Sequence, residues 1–209
     1  MPTLAGPALP AGALRGLAQP RLRVDDELVL RPWRVDDAAV VRAAFDCPVI
    51  RRWHARRIDS DDEAREWIAG WAGRWADETD ASWAVVDGRD APVGQVGLRT
   101  VSLSEGVAQL SYWVLPAARG GGVAGRAARA VAAWTFGTLG LHRLELRHSV
   151  GNLASCRVAG RAGFGLEGTA RGATLHADGW HDMHVHARLR TDTGSATGEK
   201  PVDGAGAGG

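Results

Sequence analysis

Apolar and polar residues alternate with a period of two from Val107 to Val114, where Leu110, Tyr112 and Val114 share one face, and this predicts a half-buried strand. Pro116 closes it, because a proline has no amide hydrogen to give to a ladder. Beyond Arg119-Gly120-Gly121-Gly122 the period changes, and Val123, Ala127, Ala130, Val131 and Trp134 recur at helical spacing. A strand therefore feeds a glycine-rich turn that feeds a helix, and Gly140 is placed to end that helix.

The same reading places a short strand at 27–32, then a helix begun by Asp36 or Asp37 with Ala38, Val41, Ala44 and Phe45 on one face. Residues 47–57 are irregular and basic. Ser60-x-x-Glu63 is a capping box that opens a helix carrying Trp67, Ile68, Trp71 and Trp75. Strands follow at 82–86 and 92–103, the second holding two glycines, with Asp87-Gly88-Arg89-Asp90 as the turn between them. Leu144 and Leu146 alternate against charged neighbours in a strand at 142–150, which pairs in parallel with the strand at 107 through the intervening helix. A short helix closed by Gly163 and strands at 164–169 and 181–189 complete an α/β chain with a mixed sheet and helices on both faces.

Length and composition bound this picture. The 209 residues, 45% hydrophobic and 23% charged, suffice for one globular core, expected over residues 21–190. Residues 1–20 carry little periodicity and predict a loose extension; the small, polar stretch 191–209 predicts a disordered tail. A net charge of +1 offers no global field for nucleic acid or an acidic membrane. Cys47 and Cys156 make neither a disulfide framework nor a metal pattern, and no secretion signal or membrane span is visible, so a cytoplasmic protein is expected. Nine Trp stand against one Tyr and three Phe, and tryptophan serves cores and binding clefts alike.

The turn at Gly120 carries the candidate chemistry. A helix start concentrates unpaired amides and the positive end of the helix dipole, which suits a phosphate. The glycines do not fit the dinucleotide fingerprint, and no Lys-Ser or Lys-Thr follows as a nucleoside-triphosphate loop requires. A plain glycine-rich turn has the same composition, so these residues alone leave a structural reading open. The pattern Arg119-x-x-Gly122-x-Ala124, however, resembles the pyrophosphate signature of the Gcn5-related N-acetyltransferases (GNAT). The resemblance extends from Leu28 to about Leu189. Its matching pieces are Leu30-Arg31-Pro32, Tyr112-Trp113-Val114-x-Pro116, Leu141-His142-Arg143-Leu144-Glu145, Asn152-x-x-Ser155, Gly163-Phe164-x-x-Glu167-Gly168 and Asp178-Gly179-Trp180-His181-Asp182. It is strongest to the branch that acetylates ribosomal-protein N-terminal alanine and serine.

That resemblance implies a mostly antiparallel sheet of six to seven strands splayed between strands 4 and 5, and acetyl-coenzyme A as co-substrate. It implies that Trp113 and Val114 meet the pantetheine arm, with Val114 also holding the acetyl carbonyl, and that Arg119, Gly120, Gly121, Gly122, Val123, Ala124 and Gly125 take the pyrophosphate. Asn152 would contact pantetheine and Ser155 the departing sulfur, although both residue types also serve as plain N-caps. Glu167 is the candidate base, against the reading of a solvated carboxylate on a half-exposed strand. Trp53, His54, Trp67 and Trp71 lie on segments that border the acceptor cleft in the family, while the tryptophans' helical spacing equally predicts core. Of the histidines at 176, 181, 184 and 186, a strand brings only His184 and His186 to one face; with no third and fourth ligand in view, no metal is expected, and Cys156 reads as structural. The implied activity is acetyl transfer to a primary amine, on a protein N-terminus or a small molecule, by a monomer or homodimer. An acyl-coenzyme A-binding domain without catalysis and a module for another nucleotide are the alternatives.

Overall fold

The computed structural model describes residues 6–54 and 56–192. Its strands are β1 (Leu22–Arg23), β2 (Val29–Pro32), β3 (Ala81–Val86), β4 (Pro92–Ser102), β5 (Val107–Val114), β6 (Arg143–Ser149), β7 (Gly165–His176) and β8 (Gly179–Leu189). They form one sheet in the order β1-β2-β3-β4-β5-β6-β8-β7. All neighbours are antiparallel except β5 and β6, which are parallel. The helices are α1 (Ala38–Asp46), α2 (Pro48–Arg51), α3 (Asp61–Ala76), α4 (Val123–Trp134) and α5 (Leu153–Arg161). The sheet thus has eight strands where six to seven were expected. The two residues of β1 are too few to leave a periodic signal, and counting them moves the parallel pair to β5 and β6.

Local chemistry explains the element boundaries. Ser60 Oγ accepts from the Glu63 amide at 3.1 Å, while the Glu63 carboxylate accepts from the Asp59 amide at 2.7 Å, one residue before the position a capping box uses. The α4 helix ends through a π-turn, Thr135–Leu139, and Gly140 takes the left-handed conformation at φ 88°. The central strand β4 needs its glycines: a Cβ on Gly97 would stand 2.2 Å from the Ala81 carbonyl oxygen.

Alternation along β5 distributes its side chains between two cores. Ala108 and Leu110 pack with Val123, Ala127 and Val131 of α4, whereas Trp113 packs with Ala44 of α1 and Ile50 of α2. Trp67, Ile68 and Trp71 of α3 are buried with Val41 and Phe45 of α1. Trp83 is fully buried, with Trp75 and Trp134 edge-on at 6.0 and 5.3 Å between ring centroids.

The N-terminal segment corrects the expectation of a loose extension. Leu14 is fully buried in the main core, and the Glu78 carboxylate accepts from the amides of Gly12, Leu14 and Arg15. Buried indoles need acceptors, and this segment supplies them: Trp75 Nε1 donates to the Leu17 carbonyl at 3.0 Å and Trp83 Nε1 to the Pro20 carbonyl at 2.9 Å. Residues 1–5 of that extension, and 193–209 of the expected tail, lie outside the described residues. No helix among the described residues is long and apolar enough to cross a membrane.

Candidate functional site

β5 and β6 pair over only three positions, Val107↔Arg143, Ala108↔Leu144 and Gln109↔Glu145, and then diverge. On their outer edges β5 pairs with β4 up to Val114, with one register shift between Arg99 and Ser102, and β6 pairs with β8 up to Ser149. The amide of Leu115 donates to the Val93 carbonyl on the β4 side. Successive amides of a strand point to opposite edges, so those of Tyr112 and Val114 point into the gap, beyond the last β5–β6 pair. Unpaired main-chain donors flanking a gap are groups that an extended ligand can satisfy.

At the mouth of the gap, α4 begins on Gly122, whose φ of 73° is left-handed and whose helix has no side-chain cap. Gly120 is left-handed too, at φ 89°, and a Cβ at either position would meet nothing within 4 Å. These glycines are thus required by backbone conformation rather than by crowding, and they turn the first amides of α4 outward. Arg119 folds back, its Nε donating to the Val114 carbonyl at 3.0 Å.

One cleft of about 820 Å³ joins the gap to this turn. It is bordered by Trp113, Val114, Arg119, Gly120, Gly122, Val123, Ala124, Gly125, Asn152 and Ser155 among the residues singled out from sequence, together with Trp53 and His54. Gly121 does not border it. Trp67 and Trp71, both mostly buried in the α1–α3 core, form the wall of a second pocket of about 260 Å³ that shares His54, Arg99 and Trp113 with the cleft. Asn152 caps α5, its Oδ1 accepting from the Ser155 amide at 3.1 Å.

Glu167, expected as the base, does not border the cleft. Arg143 donates to both carboxylate oxygens, at 2.8 and 2.5 Å, and also to Glu145 at 2.9 Å. That guanidinium holds the Glu167 carboxyl below the usual carboxylate range, which makes it a poorer proton acceptor. No Asp or Glu among the described residues borders the cleft.

Other residues, passed over in the sequence, take up positions there. Tyr112 Oη lies 2.6 Å from Ser155 Oγ across the gap, and burial pushes the phenol up to about 12. Alternation had put Tyr112 on the apolar face of β5, which is true of its ring but not of its hydroxyl. Ser149, at the end of β6, lies on the cleft wall with its Oγ 2.8 Å from His181 Nδ1, and His181 Nε2 lies 2.8 Å from Asp178 Oδ1. The i, i+3 spacing of Asp178 and His181 was visible in the sequence, but only the β6–β8 register carries Ser149 to them. Arg99 borders both pockets and makes no ion pair among the described residues. Its guanidinium stacks on Trp71 at 4.4 Å, and burial, with Arg74 and Arg56 nearby and Asp80 opposing, lowers it to about 10. Burial, with the charge of Arg99 beside it, pushes His54 down to about 4. The indole N–H groups of Trp71 and Trp113 are buried without a hydrogen-bond partner among the described residues.

A family model described as acetyltransferase (GNAT) domain matches residues 27–165. The uncharacterized N-acetyltransferase YoaA of Bacillus subtilis (strain 168) is 26% identical over 168 residues, spanning 79% of this chain and 94% of that protein. Mycobacterium smegmatis RimJ in complex with CoA-disulfide has a TM-score of 0.75 and 22% identity, over 84% of this chain and 88% of that one. RimL, a ribosomal L7/L12 alpha-N-protein acetyltransferase solved with coenzyme A, has a TM-score of 0.76 and 18% identity, over 81% and 98% respectively.

Proposed function

This chain belongs to the acetyltransferase (GNAT) domain family, and on that premise we propose that it transfers the acetyl group of acetyl-coenzyme A to a primary amine by direct attack in a ternary complex. The observation that carries this reading is the joining, in one cleft, of the unpaired β5 amides with the uncapped start of α4. The amides from Gly122 to Gly125 take the pyrophosphate, and the gap edges of β5 and β6 take the pantetheine amides. The Val114 N–H donates to the carbonyl oxygen as negative charge develops on it.

As the amine nitrogen bonds to the carbonyl carbon, the carbon–sulfur bond breaks, and Tyr112 with Ser155 gives the leaving thiolate a proton. The raised phenol stays protonated at neutral pH, so it begins the reaction as a donor. The amine's own proton leaves through Ser149 to His181. Asp178 accepts from His181 Nε2–H, which leaves Nδ1 as acceptor and makes Ser149 its donor. On the acceptor side, Arg99, which makes no ion pair among the described residues, and the two indole donors favour an amine that also carries an anionic group.

The test is release of free thiol from acetyl-coenzyme A with a panel of amines, acidic ones included, beside calorimetry with coenzyme A, ATP and NAD. Transfer to at least one amine is expected, and His181→Gln should lower kcat roughly a hundredfold or more while leaving coenzyme A affinity unchanged. Binding of coenzyme A without thiol release would leave a catalytically silent binding domain. Binding of ATP or NAD but not coenzyme A would assign the cradle to another nucleotide.

A further inference from the structure

Beside the cleft, three elements bring metal-ligating side chains together. His148 stands on β6, Cys156 on α5, and His184 and His186 on β8; one donor atom from each lies within 4.8 Å of all the others. The sequence offered only the alternate pair His184 and His186. The other two donors come from pairing His148 with His184 across β6 and β8, and from packing α5 beside them.

The hydrogen bonds around two of these rings restrict their protons. His148 Nδ1 lies 2.8 Å from the Ser149 carbonyl oxygen, and His186 Nδ1 lies 3.4 Å from the Phe164 carbonyl oxygen. A carbonyl oxygen can only accept, so both Nδ1 atoms carry the hydrogen, and in the neutral rings both Nε2 atoms present lone pairs. Those two Nε2 atoms face each other at 3.2 Å, and the rings are stacked with centroids 5.1 Å apart. Two lone pairs so placed repel unless a cation lies between them. Both rings are buried. His184 adds a buried Nδ1 with no hydrogen-bond partner among the described residues, and Cys156 is a free thiol.

We propose that His148, Cys156, His184 and His186 form a tetrahedral site for a zinc(II) ion that ties α5 to β6 and β8. Three imidazoles and one thiolate are a donor set that suits zinc, and ring N–H groups held by backbone carbonyls orient such ligands. With zinc–nitrogen bonds of about 2.0 Å, tetrahedral ligand nitrogens stand roughly 3.3 Å apart, which is close to the separation of the two Nε2 atoms. The widest pair closes by about 1 Å on binding, and the thiol proton is released to solvent.

The experiment uses the untagged full chain, stripped with a chelator and titrated with cobalt(II) and then zinc(II). One cobalt per chain is expected, with a thiolate-to-cobalt charge-transfer band that zinc abolishes, and zinc should raise the melting temperature. Cys156→Ser should lose the band, and His186→Gln should weaken zinc binding at least tenfold. The double variant His176→Gln/His181→Gln removes a second pair of close histidine rings, 4.5 Å apart, and should leave both readouts unchanged. If His186→Gln does not fold, Cys156→Ser decides the matter, since serine keeps the side chain's shape. A missing charge-transfer band in the parent chain, a band that survives Cys156→Ser, or zinc binding lost only in the double variant overturns the proposal.

Discussion

Gly121→Ala and Gly122→Ala separate the two reasons a phosphate-binding turn can need glycine. An added Cβ would meet nothing within 4 Å at either position, so the structure gives neither substitution a clash. They differ in backbone: Gly122 sits at φ 73°, in the left-handed region, and Gly121 does not. An alanine held left-handed costs roughly 1–2 kcal/mol, and one at an ordinary φ costs nothing of that kind. If the turn keeps its shape in Gly122→Ala, the cost lowers stability. If the turn relaxes, the first amides of α4 swing away from the ligand and the same energy appears as a roughly five- to thirtyfold loss of coenzyme A affinity. Calorimetry with coenzyme A and urea denaturation of both variants measure the two shares, whose sum should reach about 1–2 kcal/mol for Gly122→Ala and about zero for Gly121→Ala. Equal losses in the two variants would mean that the ligand needs the space rather than the backbone conformation, and would refute the argument from φ.

Glu167→Gln should leave kcat within about twofold of the parent, because the carboxylate is held by Arg143 outside the cleft; a loss of tenfold or more would restore it to the chemistry. Arg99→Met should raise KM for acidic amines roughly ten- to a hundredfold, the loss expected of a charged hydrogen bond, while neutral amines and acetyl-coenzyme A are unaffected; an equal rise for neutral amines would remove the anion from the acceptor's description. Stability should fall as pH drops below 6.5, because the unfolded chain protonates His54 there whereas the folded chain resists until about 4. That difference contributes about 1–3 kcal/mol between pH 7.5 and 4.5, read from urea midpoints with chelator present, and His54→Gln should reduce the fall by that amount, leaving the share of the other buried histidines; unchanged midpoints in the parent chain would contradict the burial of a neutral imidazole.

What the sequence revealed was local. The period change at Gly120 located a strand, turn and helix within a few residues, because each signal comes from neighbours in the chain. The parallel partner followed from the handedness and length of the crossover. The N-terminal segment was missed for a different reason. Leu14 has no periodic companions, and what holds the segment is a set of amides and carbonyls satisfied by Glu78, Trp75 and Trp83, more than 50 residues away. Strand alternation tells which face Glu167 takes but not that the Arg143 guanidinium waits there. The Ser149–His181 contact escaped because it depends on strand register, which side-chain patterning fixes only to the nearest face.

The position of α5 links these non-local features. Asn152, Ser155 and Cys156 fall on one side of the helix start by i, i+3 and i+4 spacing, yet each serves a different neighbour. The Asn152 side chain accepts from the Ser155 amide, Ser155 reaches the β5 side of the gap through Tyr112, and Cys156 clusters with the histidines of β6 and β8. Along the gap, the strands lose inner-edge hydrogen bonds while their outer edges stay paired, β5 to Val114 and β6 to Ser149. The helix is tied to the β5 side by the Ser155–Tyr112 contact, and the proposed zinc ion would tie it to β6 and β8 as well. Under the proposed function, a thioester threaded between the strands meets the Tyr112–Ser155 pair, so one contact of α5 serves both the packing of the helix and the leaving group.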